Sequence, residues 1–151
     1  MSELKHYVSK VLKLRLDKHG GELSFPLIKT DSTIRWADED QDSIIFDAIG
    51  PNHKFNLEIF DAVLHKANEL GGEMYIASQE ARQKGTRLGN GVPLDSVDGF
   101  IAYNFTNTSI GKGVLACGSY VAALLVHLGV CRYKETTTGR YLQVKEKYRA
   151  L

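Results

Sequence analysis

Apolar and polar positions recur along this chain with two different periods, and the changes of period divide it into elements. In residues 4 to 18, Leu4, Val8, Val11 and Leu12 fall at helical spacing with lysines between them, and Gly20 and Gly21 end the pattern. This predicts a short amphipathic helix with a basic outer face. From Glu22 the period falls to two. In ELSFPLIK, Leu23, Phe25 and Leu27 alternate as on a half-buried strand, and Pro26 puts that strand at an edge or breaks it. STIRW and DSIIFDAIG predict two more strands, joined as a hairpin by the polar turn ADEDQD.

The helical period returns at residues 56 to 70, where Ile59, Phe60, Val63, Leu64 and Ala67 form one stripe. Asn56 can accept an unpaired N–H of the first turn, and Gly71 and Gly72 end the helix. EMYIA predicts a short strand, SQEARQKG a short helix, and GTRLGNGVP a loop. In LDSVDGFIAYNF, Asp95 or Ser96 caps a helix that turns Val97, Phe100, Ile101 and Phe105 inward. After the turn TNTSIGKG, a second helix carries Cys117, Val121, Leu124, Leu125 and Leu128 on one side, and Gly129 breaks it. CRYKE and RYLQVKE read as strands joined by TTTG, with Gly139 where a positive φ is needed. There is no internal repeat or linker. The expectation is α+β, a single domain over 1–151: an N-terminal helix and small antiparallel sheet, then a helical unit over 94–145 closed by a C-terminal β-hairpin.

Composition narrows the function classes. A chain of 151 residues, 43% hydrophobic and 25% charged, can bury a core, which excludes a disordered or disulfide-built chain. The net charge of +1 gives no global pull on polyanions, so nucleic-acid binding would need a local basic face. Two cysteines make at most one bridge, the N-terminal charges interrupt any signal-peptide core, and no apolar run is long enough to span a membrane. These features predict a reduced, cytoplasmic protein with no membrane partner. They leave its oligomeric state open.

The stretch SYVAALLVHLGVCRYKETTTGRYLQV resembles the last helix and wing of winged helix-turn-helix domains, where the final helix ends in Leu-Gly plus an aliphatic residue and enters the first wing strand. The resemblance covers roughly residues 94 to 145. It implies a nucleic-acid partner, with a helix in the major groove and basic side chains on phosphates. Lys112 in the turn, Arg132 and Lys134 on the first wing strand, Arg140 beyond the tip and Lys145 after it are the candidate contacts, and Lys147 and Arg149 follow. The helix departs from the pattern. It is nearly all Ala, Val and Leu, with only Ser119, Tyr120 and His127 able to reach out, so mainly backbone contacts are expected. Lys5, Lys10, Lys13, Arg15 and Lys18 of the first helix could line the same face or form its ordinary solvated side. A protein-interaction scaffold on the same fold is a further reading.

The overlapping stretch ACGSYVAALLVHLGV also resembles the catalytic helix of papain-like NlpC/P60 peptidases, with a cysteine at a helix start. That resemblance implies a Cys-dependent hydrolase or transferase using Cys117, because a helix N-terminus favours the thiolate. A nucleophile needs a base. His127 lies nearly three turns away on the same helix, too far to touch, so an upstream histidine would have to serve: His53 first, His65 next. The bland reading is a buried thiol acting as a small hydrophobe.

No cofactor or metal is expected. SIGKGV lacks P-loop spacing, and GTRLGNG reads as a surface turn. Asp38, Glu39, Asp40 and Asp42 lack the ligand spacing of a calcium loop, so a solvated turn is expected there. The histidines and cysteines show no zinc spacing, and Glu22 and Lys29 stand at the wrong separation for a metal-dependent nuclease.

Overall fold

The computed structural model describes residues 5–27 and 30–149. Leu4 of the first apolar stripe and Lys29 at the end of the first predicted strand lie outside the described residues. Helix α1 (Tyr7–Lys18) buries Val8, Leu12 and Leu16, one residue per turn of a single stripe. The Gly21 N–H, at a positive φ, then reaches back to the Leu16 carbonyl and closes the helix.

Four antiparallel strands follow, neighbours in sequence order: β1 (Glu22–Pro26), β2 (Asp31–Trp36), β3 (Ser43–Phe46) and β4 (Phe55–Asn56). The last is a two-residue strand, too short for alternation to reveal. Leu23 pairs with Ile34, Ile34 with Phe46 and Ile44 with Phe55, so the inner face is apolar apart from Ser32, buried opposite Phe25. Pro26 ends β1 on the edge of this sheet, where its missing N–H costs no ladder bond. Outward, the Arg35 guanidinium bridges Asp47 at 2.6 Å and Glu22 at 2.9 Å. The acidic turn is exposed, with Asp38 facing Lys54 at 3.6 Å.

Helix α2 (Glu58–Glu69) begins where Asn56 Oδ1 accepts the Glu58 N–H, as its side chain predicts. Then come β5 (Glu73–Tyr75) and the single-turn helix α3 (Ser78–Ala81). The predicted loop holds two short strands, β6 (Arg87–Leu88) and β7 (Gly91–Val92). Helix α4 (Val97–Phe105) is capped by Ser96 Oγ, which accepts the Gly99 N–H. Val97 and Ile101 point inward as expected, whereas Phe105, expected inside, is 38% exposed because the helix ends on it. Helix α5 (Gly118–His127) leads through Gly129, at a positive φ, into β8 (Cys131–Thr136) and β9 (Gly139–Val144). Strand β9 is the centre of a second antiparallel sheet, in the order β5-β9-β8.

One buried cluster runs from Val8 to Val144 and takes in α1, both large sheets, α2, α4 and α5, so the fold is α+β with a shared core. Two features differ from the helix-turn-helix expectation. Residues 106–117 separate α4 from α5, where that motif uses a turn of about 3–4 residues. Helix α5 also has no exposed residue: Val121 to Leu125 are buried, and Tyr120 and His127 pack on Phe46 and Phe25 of the first sheet. Covered in this way, it cannot enter a major groove. No helix among the described residues is long and apolar enough to cross a membrane.

Candidate functional site

The starts of α3, α4 and α5 converge on one buried carboxylate. Asp98, 0% exposed in the first turn of α4, accepts the Ala77 N–H on Oδ1 and both the Ser78 hydroxyl and the Gly118 N–H on Oδ2, at 2.7 to 2.9 Å. Ser78 Oγ in turn accepts the Ser119 N–H at 2.8 Å. The Tyr120 and Val121 N–H groups close on the Cys117 carbonyl. Every N–H in the first turn of α5 therefore has a partner, and this helix end offers no backbone donors to an anion. Burial pushes the Asp98 carboxyl up, and its donors oppose that shift. Gly118 is the only residue that fits its place, since a Cβ there would overlap the Asp98 carboxylate.

This knot sets Ser119 at the foot of a cleft. Ile76, Arg82, Ser119 and Arg140 stand where two adjoining cavities meet. The outer cavity, about 630 Å³, is completed by α3 through Gln79 and Glu80 and by the hairpin through Glu135, Thr136 and Gly139, with Tyr75 at its side. The inner one, about 180 Å³, is closed by Leu27, Tyr120 and Tyr133.

The register of the hairpin explains how charged groups come to line this cleft. Cys131 pairs with Val144, Tyr133 with Leu142 and Glu135 with Arg140, so all six share the inward face. Ile76, whose N–H bonds the Arg140 carbonyl, continues that face. Near the core its positions are apolar. Beyond Tyr133 and Leu142 they become an ion pair: Arg140 Nε and Nη2 both reach Glu135 Oε1, at 3.0 and 2.9 Å. The Arg140 guanidinium also lies 5.8 Å from the Tyr133 ring centre. Across the cleft, the Tyr75 hydroxyl donates to Glu80, a bond that with burial pushes its pKa up to about 12.

The outward face of the same sheet carries Arg132, Lys134, Tyr141, Gln143, Glu73 and Tyr75. Tyr75 and Tyr141 pack edge to face, 5.3 Å between centres. Lys134 Nζ meets Glu73 Oε2 at 2.7 Å and holds that carboxyl below its usual range. Gly139, at a positive φ, lies under the Tyr75 ring, with no room for a Cβ.

The hairpin thus splits the predicted basic set. Arg132 and Lys134 share the outward face, while Arg140 faces inward to the cleft. Lys145 is half-buried, its N–H bonded to the Val130 carbonyl. Lys112 is exposed on the 106–117 loop, which is tied to β6 through Leu88. On α1, Lys10 and Lys13 share a shallow cavity with Asp42 and Glu58, so that basic ridge faces acids. The thiol of Cys117 is 1% exposed, and burial beside Asp98 pushes its pKa far up, the opposite of nucleophile activation. His53 is exposed on the loop between β3 and β4, and His127 packs on Phe25. Sequence reasoning missed Tyr75, Glu80, Arg82, Tyr133, Glu135 and Tyr141. The signal that could have found the pair was Glu135 and Arg140 at positions in phase with Cys131, Tyr133, Leu142 and Val144.

No family model matches this chain, and no curated protein or solved structure matches it either.

Proposed function

We propose that the protein binds single-stranded nucleic acid on the outward face of the β5-β9-β8 sheet. The observation that carries this reading is the pairing of Tyr75 with Tyr141, both half-exposed on the outward sheet face, beside the exposed Arg132 and Lys134. Tyrosine rings accept the faces of unstacked bases of any sequence, and cations alongside follow the phosphates. A duplex is disfavoured by the burial of α5, the helix that would have had to read its groove. Glu73 offsets one of the two cations, which keeps the electrostatic contribution small.

Anisotropy titrations of labelled single-stranded and duplex DNA and RNA at two salt concentrations test this. Single strands are expected to bind more tightly than duplex. Tyr141→Leu should weaken binding by about 1–3 kcal/mol, the worth of one stacked base. Arg132→Ala should flatten the salt slope by about 0.7, one phosphate contact on a single strand. No binding at low salt, or affinity unchanged in Tyr141→Leu, would overturn the reading.

A further inference from the structure

We infer that the cleft beside the hairpin tip takes one unstacked nucleobase, carried by a free nucleoside or by the end of a strand. The inference deepens the reading above and rests on it for the class of ligand. The outer cavity, at about 630 Å³, lies within the range of small-ligand sites, roughly 300–1,000 Å³. Its narrower extension ends on the Tyr120 and Tyr133 rings and Leu27, an apolar end for a flat ring.

The polar groups select the ligand. Arg140 binds a single oxygen of Glu135, which leaves Glu135 Oε2 and Arg140 Nη1 without a hydrogen-bond partner among the described residues. Arg82 has no acidic partner among them, and Glu80 keeps one oxygen beyond its bond to Tyr75. Two cations and two carboxylates thus line the cavity, Glu135 and Arg140 from the hairpin and Glu80 and Arg82 from α3 and its end. A phosphate would meet both carboxylates and find no spare backbone donor at the α5 start. An aliphatic ligand would offer the four charges no partner. The edge of a nucleobase carries ring N–H or amino donors next to carbonyl acceptors, which is the complement of a carboxylate beside a guanidinium. The Tyr75 ring borders both this cleft and the outward face, so a strand stacked on the sheet can pass its terminal base into the cleft.

The test is calorimetric titration with the four common nucleosides, their 5′-monophosphates, ribose 5-phosphate and inorganic phosphate, beside competition of each nucleoside against a labelled oligonucleotide. Nucleosides and their monophosphates should bind alike and with a preference among bases. Glu135→Gln, an exposed change that replaces an acceptor with an amide, should weaken the preferred base at least tenfold and shift the preference. Arg82→Ala should weaken all bases, and a melting temperature near wild type shows that both variants fold. Binding of ribose 5-phosphate or phosphate as tight as that of the nucleosides would overturn the inference. So would nucleoside binding unchanged in both variants. Strand binding that no nucleoside competes with would remove the cleft and leave the sheet face. Nucleoside binding without strand binding would keep the cleft and remove the sheet face. No binding of any probe would remove both.

Discussion

In the four-stranded sheet the inward positions stay uncharged to the strand ends: Leu23 and Phe25, Ser32 and Ile34, Ile44 and Phe46, then Phe55. In the three-stranded sheet the same alternation starts with Cys131, Leu142 and Val144 and ends, still in phase, on Glu135 and Arg140. Both faces pack on one core, so the difference lies in where each sheet runs past it. The first sheet is covered along its length by α5 and the core. The second projects its hairpin beyond that cover, and inward positions there face a cleft. A charged pair at an inward register position thus marks the point where a sheet stops building the core and starts to bound a site.

The largest expected effect tests the core end of this contrast. Phe46 is fully buried against Phe25, Phe55, Phe60 and Tyr120, and Phe46→Ala should cost about 3–5 kcal/mol in urea denaturation. A loss below about 1 kcal/mol would mean that the first sheet is not the packed half. Next comes the knot that sets the floor of the cleft. Asp98→Ala strands the Ala77 and Gly118 N–H groups and the Ser78 hydroxyl but relieves the burial of the carboxylate itself, so a net cost of about 1–3 kcal/mol is expected. Cys117, buried beside Asp98, provides a second readout: electrophile labelling at neutral pH should be slow in wild type and faster in the variant. Fast labelling of the wild-type thiol would show that this half opens far more readily than its packing implies.

The smallest effect belongs to the outward face. Lys134→Ala removes an exposed pair and should change stability by less than about 1 kcal/mol. Its signature is in the pH dependence. Lys134 lowers the Glu73 carboxyl from an ordinary value of 4.5, so the unfolded chain takes up that proton first as pH falls. The contribution of the pair is full above that value and is lost below it, through the lowered native pKa. Wild type should therefore lose slightly more stability than Lys134→Ala between neutral pH and the acid range. Parallel pH profiles would show that the pair is unformed in solution.

Much of the fold was legible in local pattern. The apolar stripe of α2, the alternation of β1 to β3, the Ser96 cap and the glycines that end α1, α2 and α5 act through spacings within one element, where the period alone assigns a face. The α+β class follows from those elements. The two-residue strands β4, β6 and β7 were not legible, because so short a segment has no period to read.

What the amino-acid sequence determined by itself, then, is where the longer helices and strands lie and which of their residues turn away from water. Those properties depend on neighbours within a turn or a pleat. Tertiary structure alone decided that β1 would cover α5 and close it to a groove, and that Asp98 would cap helix starts about 20 residues away on either side. It also decided that Asp61 of α2 would accept the Val8 and Ser9 N–H groups that open α1. It placed Arg82, Ser119 and Arg140 around one cavity. Each of these joins groups from distant parts of the chain, and the two carboxylates act on backbone N–H groups, which every residue but proline carries, so no side-chain pattern announces them.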